Sequence, residues 1–242
     1  MEVWLYETAE IMSDEYITLT CPQCHASVDY LKEFAGTTQP CPYCDDEIVI
    51  PAGDGQEAHT LSFPLETERL VLRRLENEDL QDIFAILSDP DIFQYEPDAA
   101  LDEEGCQQWL ERARRIKSTD VQGGVMLGIT RRSDNKLIGL FSFWYAQSDR
   151  QQGAFKIQIH RDSQRKGFGT EALTAMLEFC FKNIGLHRMM ATCDTRNEAS
   201  VGLLKKVGMR REAECLQDRF INGEWSDSFW FAMLEEECRV KT

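Results

Sequence analysis

Cys21-Pro22-Gln23-Cys24 and Cys41-Pro42-Tyr43-Cys44 are two Cys-x-x-Cys pairs separated by sixteen residues, and no other feature constrains the chain as tightly. A single pair can serve as a dithiol redox centre, which wants an apolar strand before it and a long helix after it. Here Asp45-Asp46-Glu47 follows the second pair, then the short apolar run Ile48-Val49-Ile50 and Pro51, a pattern of knuckle and strand. Carboxylates beside the thiols also oppose the low-pKa thiolate that redox exchange uses. Four thiolates held in two tight turns instead suit a tetrahedral Zn²⁺. The expectation is that Cys21, Cys24, Cys41 and Cys44 bind one structural zinc. With all four positions closed by Cys, no site is left for an activated water, and His25 and Asp45 are bystanders.

The segment 16–51 resembles a zinc ribbon: Ile17-Thr18-Leu19-Thr20 as a strand, the first knuckle, a turn at Gly36, the second knuckle, then Ile48–Ile50. Residues 1–60 hold one Lys and twelve Asp or Glu, a charge of −11, out of a net −16 for the whole chain. Nucleic-acid affinity rests on neutralising phosphates, so no direct nucleic-acid partner is expected. A ribbon that docks on a basic protein surface, or that simply folds as a spacer, fits this charge better. The division expected is an acidic segment with the ribbon at 1–51, a linker at 52–60 (Pro, Gly and polar residues) and a second domain at 61–242. No run of eighteen apolar residues exists, so no membrane span is expected. Residues 1–7 lack the basic start of a secretory signal. Cys106, Cys180, Cys193, Cys215 and Cys238 read as buried free thiols of a cytoplasmic protein.

Periodicity places a strand over 66–75 and a helix over 77–87 with Leu80, Ile83, Phe84 and Leu87 on its core face. A second helix starts at Asp102 and carries Cys106, Trp109, Leu110, Ala113 and Ile116. Strands follow near 123–131, 136–146 and 152–160, with turns at Ser133-Asp134-Asn135 and Gln147-Ser148-Asp149. After the loop Gln164-Arg165-Lys166-Gly167-Phe168-Gly169-Thr170 a helix presents Leu173, Met176, Leu177, Cys180 and Phe181. A strand at 187–193, a helix at 197–207 and strands near 211–220 and 225–235 complete the order.

A strand, a glycine-rich turn and a helix can cradle a phosphate, because converging backbone N–H groups meet the positive end of the helix dipole. A strand-to-helix turn also uses glycine without any ligand, and the Gly-Lys-Ser/Thr order of a Walker loop is absent. Taken with the element order, however, the Gln164-x-x-Gly167-x-Gly169 loop resembles that of the GNAT acyl-CoA-dependent N-acetyltransferases, over about 61–238. Asn197-Glu-Ala-Ser200 with Leu203-Leu204-Lys205-Lys206-Val207-Gly208, and Asn222-Gly223-Glu224-Trp225, resemble the branch that acetylates N-termini of ribosomal proteins.

The resemblance implies an α+β GNAT fold, a mixed and mostly antiparallel sheet flanked by helices, fused to a small zinc ribbon. It implies an enzyme that uses acetyl-CoA as co-substrate. The pyrophosphate would meet Gln164, Arg165, Lys166, Gly167, Phe168, Gly169 and Thr170. The pantetheine arm would run along Ile159, His160 and Arg161, in a splay toward strand 187–193, with a backbone N–H near Ile159 meeting the oxyanion. Asn197 and Ser200 would reach the thiol end, although Asn197 also reads as a plain helix N-cap. Ala154 stands where many relatives carry Glu, Arg161 and Arg165 replace a usual Pro and Gly, and no Tyr occurs between 197 and 209. Ser200 as thiol-side acid and Glu96 (or Tyr95) near the acceptor are the catalytic candidates, while 93–96 reads equally as an ordinary helix connection. Asp218 and Glu224 would form an acidic rim. The acceptor expected is a protein N-terminal amine. A small amine remains open, as does an acyl-CoA-binding adaptor without catalysis.

Overall fold

The computed structural model describes residues 16–21, 23–24, 26–50, 63–115, 124–146 and 151–238. The segment 1–15, the expected linker 52–60, His25, Ile116 and the turn at 147–149 lie outside them. The chain divides into two compact units, which separate between His59 and Thr60.

The first unit consists of two antiparallel hairpins. Strand β1 (Tyr16–Thr20) pairs with β2 (Ser27–Leu31), and β3 (Thr38–Pro40) pairs with β4 (Glu47–Val49). Each knuckle is a tight turn: the Cys21 amide donates to the Ala26 carbonyl and the Asp45 amide to the Cys41 carbonyl, both at 2.9 Å. Gly36 supplies the left-handed φ (76°) of the central turn. Cys21, Val28, Cys41 and Ile48 form its small core. Such a core buries too little apolar surface to hold so short a chain unaided.

The second unit is built on an eight-stranded sheet in the order β11-β12-β10-β9-β8-β7-β6-β5. Its strands are β5 (Leu65–Glu66), β6 (Leu70–Arg74), β7 (Gly124–Arg131), β8 (Leu137–Tyr145), β9 (Gln152–Ile159), β10 (Arg188–Asp194), β11 (Arg210–Ile221) and β12 (Glu224–Leu234). All neighbours run antiparallel except β9 and β10. Helices α1 (Leu80–Leu87) and α2 (Glu103–Arg115) pack Ile83, Ile86, Cys106 and Leu110 on one face, against Leu137 and Leu140. Helix α3 (Phe168–Phe179) and helix α4 (Glu198–Lys206) cover the other face, where Leu173, Met176, Leu177 and Leu204 meet Phe141, Phe155, Met189 and Phe231. Each fully buried large apolar side chain stabilises this unit by about 1.5–3 kcal/mol.

Three expectations need correction. Phe84 is exposed and Ile86 takes the core position, because a three-residue turn (Asn77–Asp79) precedes α1 and starts it later than the pattern suggests. Cys215 and Cys238 are only half-buried, whereas Cys106, Cys180 and Cys193 are buried. Strand β2 was not expected, since Ser27-Val28-Asp29-Tyr30-Leu31 is too short and polar to stand out.

Candidate active site

The parallel pairing of β9 with β10 lasts only from Gln152/Arg188 to Ala154/Met190, and beyond it the strands diverge. The His160 amide donates to the Ile138 carbonyl and the Ala146 amide to the Gln152 carbonyl. Even-numbered residues of β9 therefore spend their backbone groups on β8, and odd-numbered ones turn toward β10. Past Ala154 no β10 partner remains, so the backbone of Ile157 faces the opening. A cavity of about 220 Å³ occupies this gap, with Glu96, Trp144, Lys156, Cys193, Ser200 and Arg219 among its walls. It runs between the two sheet faces: Phe155 and Cys193 belong to the core under α3 and α4, and Lys156 and Thr192, next in sequence, point to the opposite face.

At the far end of β9 lies the glycine loop. Gly167 adopts φ 85° and Arg165 φ 57°. The left-handed conformation costs a non-glycine residue about 1–2 kcal/mol. Helix α3 begins at Phe168, so the amides of Phe168, Gly169 and Thr170 lie in its open first turn. The Phe168 side chain itself is buried, leaving only its backbone for a ligand. Arg69 braces the loop from the start of β6: its Nε meets Glu171 at 2.6 Å, one Nη donates to the Lys166 carbonyl at 3.1 Å, and the guanidinium lies 4.7 Å from the Phe168 ring centre. Gln164 Nε2 donates to the Ile159 carbonyl at 2.9 Å, tying loop to strand. His160 Nδ1 accepts from the Asp162 amide at 3.2 Å. Arg161 is paired with Asp89 at 2.8 Å and with Asp91.

Between β10 and α4, the buried Asp194 accepts from the Arg196 backbone at 2.8 Å, from two of its guanidinium nitrogens at 2.9 Å, and from Ser226. Burial alone would raise the Asp194 pKa, but the bonds from Arg196 and Ser226 outweigh it and hold the carboxyl below its usual range. This turn positions Asn197, whose Oδ1 accepts from the Ser200 amide at 3.0 Å as an N-cap. At another wall of the gap, Lys156 Nζ meets Glu96 at 3.2 Å and Asp98 at 3.5 Å. Burial pushes the Cys193 thiol up to about 11, so it lines the gap as a neutral thiol. Asp218 accepts from Ser228 and Glu224 pairs with Arg196, so both acids expected as a free rim are engaged within the protein. Ser200 and Glu96 border the same cavity, whereas Ile159–Arg161 and Gln164–Thr170 form the far end of β9 and the loop. The expected backbone N–H near Ile159 shifts by register to Ile157, and sequence patterning gave no sign of Lys156, Cys193 or Arg219, since cavity walls are not periodic signals.

In the first unit, Cys21 and Cys44 sulfurs lie 3.7 Å apart, as do those of Cys24 and Cys41, and all four fall within 4.8 Å of one another. Zn–S bonds of about 2.3 Å in a tetrahedron place sulfurs about 3.8 Å apart, whereas a disulfide requires about 2.05 Å. The Cys24 amide beside its sulfur brings the Cys21 thiol down to about 7, whereas desolvation and the neighbouring sulfurs push Cys44 up to about 12, so the fit to zinc rests on the spacing and not on thiol acidity. The donor set and its spacing fit zinc.

The GNAT acetyltransferase domain model matches residues 69–210. The uncharacterised N-acetyltransferase YnaD of Bacillus subtilis is 30% identical over 178 residues, 72% of this chain and 98% of that protein. A GNAT-family acetyltransferase structure from Bacillus anthracis is 27% identical with a TM-score of 0.65, covering 72% of this chain and all of that one. The [ribosomal protein uS5]-alanine N-acetyltransferase of Escherichia coli is 26% identical over 181 residues, 72% of this chain and 91% of that protein. The chain belongs to the GNAT acetyltransferase family. It is an N-acetyltransferase that takes its acetyl group from acetyl-CoA and passes it to an amine.

Proposed function

We propose that the acceptor is the α-amine of a peptide or protein N-terminus. The observation that carries this reading is the acid–base endowment of the gap: its carboxylate, Glu96, is tied to Lys156. Glu96 already shares its oxygens with a lysine, and among the described residues no histidine and no second carboxylate lines the gap. An α-amine is roughly a tenth to a fifth neutral at pH 7, whereas a lysine amine is neutral less than about one part in a thousand. A site without a strong base therefore works on α-amines. The similarity to an enzyme named for a ribosomal-protein alanine supports the same class of acceptor.

In this reading the CoA pyrophosphate rests on the amides and side chains of Gln164–Thr170. The pantetheine follows Ile159–Arg161 into the gap beside Asn197. The amine nitrogen attacks the acetyl carbonyl carbon while the Ile157 N–H holds the oxygen. The C–S bond breaks, the Ser200 hydroxyl relays a proton to the departing sulfur and regains one from solvent, and Glu96 or water takes the amine proton. Holding the reactants in line supplies much of the acceleration. The four cysteines hold a structural Zn²⁺, and the acidic first unit docks a protein partner.

Calorimetric titration of acetyl-CoA into the wild type and Gly169→Glu tests the cradle. A Cβ at Gly169 meets Ile159 and Leu203 no closer than 3.6 Å; a thermal melt of the variant beside the titration separates loss of binding through charge from loss of the fold. An amine panel scored by CoA release then ranks acceptors. Peptide α-amines outrunning spermidine and lysine side chains is the expected result. The reverse order defeats the peptide reading, and binding without any turnover points to an adaptor.

A further inference from the structure

We infer that Arg219 is a specificity-determining residue that receives an acidic side chain of the acceptor peptide, close behind the reacting amine. This rests on the peptide-acceptor reading and adds a sequence preference to it.

Arg219 stands opposite Ser226 in the β11–β12 register, and Thr192 stands opposite Trp230. Strand alternation puts Ser226, Ser228 and Trp230 on one face, and Phe229 and Phe231 on the other, beneath α3 and α4. Arg219 and Thr192 thus share the face away from the CoA-side helices, from which the acceptor enters. Arg219 donates to the Thr192 hydroxyl and lines the cavity. It lies near enough to Cys193 to oppose the rise that burial causes in that thiol.

The other cations that reach the 89–98 loop on this side are already matched. Lys156 has Glu96 and Asp98, and Arg196 has Asp194 and Glu224. Among the described residues Arg219 has no carboxylate partner. In a chain of net charge −16, a guanidinium left without an acid at the wall of a cavity has its donors available for something that enters. One donor is spent on Thr192, and the remaining planar fork matches a carboxylate. The phosphates of CoA are not that partner, because their cradle lies beyond the end of β9, while Arg219 borders the gap beside Phe155–Ile157. The carboxylate therefore belongs to the acceptor.

The test uses the full-length protein, acetyl-CoA and C-terminally amidated pentapeptides that differ only by Glu, Gln or Lys at position 2 or 3. The wild type should prefer Glu over Gln at one of these positions by roughly tenfold in kcat/KM, mostly through KM, as a charge-assisted contact would give. Arg219→Gln should abolish the preference while acetyl-CoA binding by calorimetry stays intact. Arg219→Glu should turn it toward the Lys peptide. Equal rates for Glu and Gln peptides in the wild type, or a preference that survives Arg219→Gln, overturn the inference while leaving the peptide reading standing. Peptides that are not acetylated, beside small amines that are, defeat the peptide reading itself. A free amino acid preferred over the amidated peptides would assign Arg219 to an α-carboxylate and overturn the side-chain proposal.

Discussion

In the proposed reading Asn197 would carry two roles. Its Oδ1 caps α4 through the Ser200 amide, and its Nδ2 group would meet the pantetheine. Loss of the cap alone should cost about 1 kcal/mol. Asn197→Ala should therefore lower the unfolding free energy measured in urea by that amount and, in the proposed reading, also raise KM for acetyl-CoA. A stability loss with an unchanged KM would reduce Asn197 to a cap. The residues legible from sequence were those whose chemistry needs a fixed spacing: the four cysteines, the glycine loop and the Asn197–Ser200 pair. Lys156, Arg219 and the shift of the amide from Ile159 to Ile157 were not legible, because each matters through what a distant strand or loop brings near it. Phe84 misled for the opposite reason, as an apolar residue at the right period on a helix that begins three residues late.

At the scale of elements, Glu212 joins the end of the sheet. It accepts from Arg188 on β10 and pairs with Arg210 on β11, which also holds Glu237 beyond β12. The Arg188 bond, with that of Arg210, brings the Glu212 pKa down to about 2. A carboxyl depressed in the folded state contributes stability above its ordinary pKa of about 4.3 and loses it as pH falls toward 2. Glu212→Gln should lower stability at pH 7 by about 1 kcal/mol, allowing for partial exposure. It should also flatten the fall in stability between pH 4.5 and 2, as followed by denaturant unfolding at several pH values. An undiminished acid slope in the variant would move the acid sensitivity elsewhere. The succession of strands along the chain was recoverable from alternating runs and turn residues, except that β5 and β6 read as one strand, and the order in the sheet was not. The early end of the β9–β10 pairing was not, since Phe155-Lys156-Ile157-Gln158-Ile159 alternates as well where the ladder is broken as where it is intact.

For the whole molecule, the two units differ in what holds them. The second has two large apolar clusters, and the first has the small cluster around Cys21 and Cys41. If the four cysteines take up zinc as proposed, its binding supplies folding energy that the small cluster of the first unit lacks. Elemental analysis should find about one zinc per chain. A strong chelator should unfold the ribbon while the near-ultraviolet signal of the second unit and its acetyl-CoA affinity persist. Loss of both together would tie the ribbon to the catalytic unit.

The three-rung pairing of β9 and β10 has a consequence for the protein's survival as well as its chemistry. A sheet that stops hydrogen-bonding halfway along two central strands has a seam there. An acyl donor laid along Ile157–Ile159 would act as a splint across it. Ligand present at a hundredfold excess over its Kd adds about 2.7 kcal/mol to folding. The amount of intact enzyme in a cell would then rise and fall with the supply of the acetyl donor it consumes, so that starvation for the donor removes the catalyst along with its substrate.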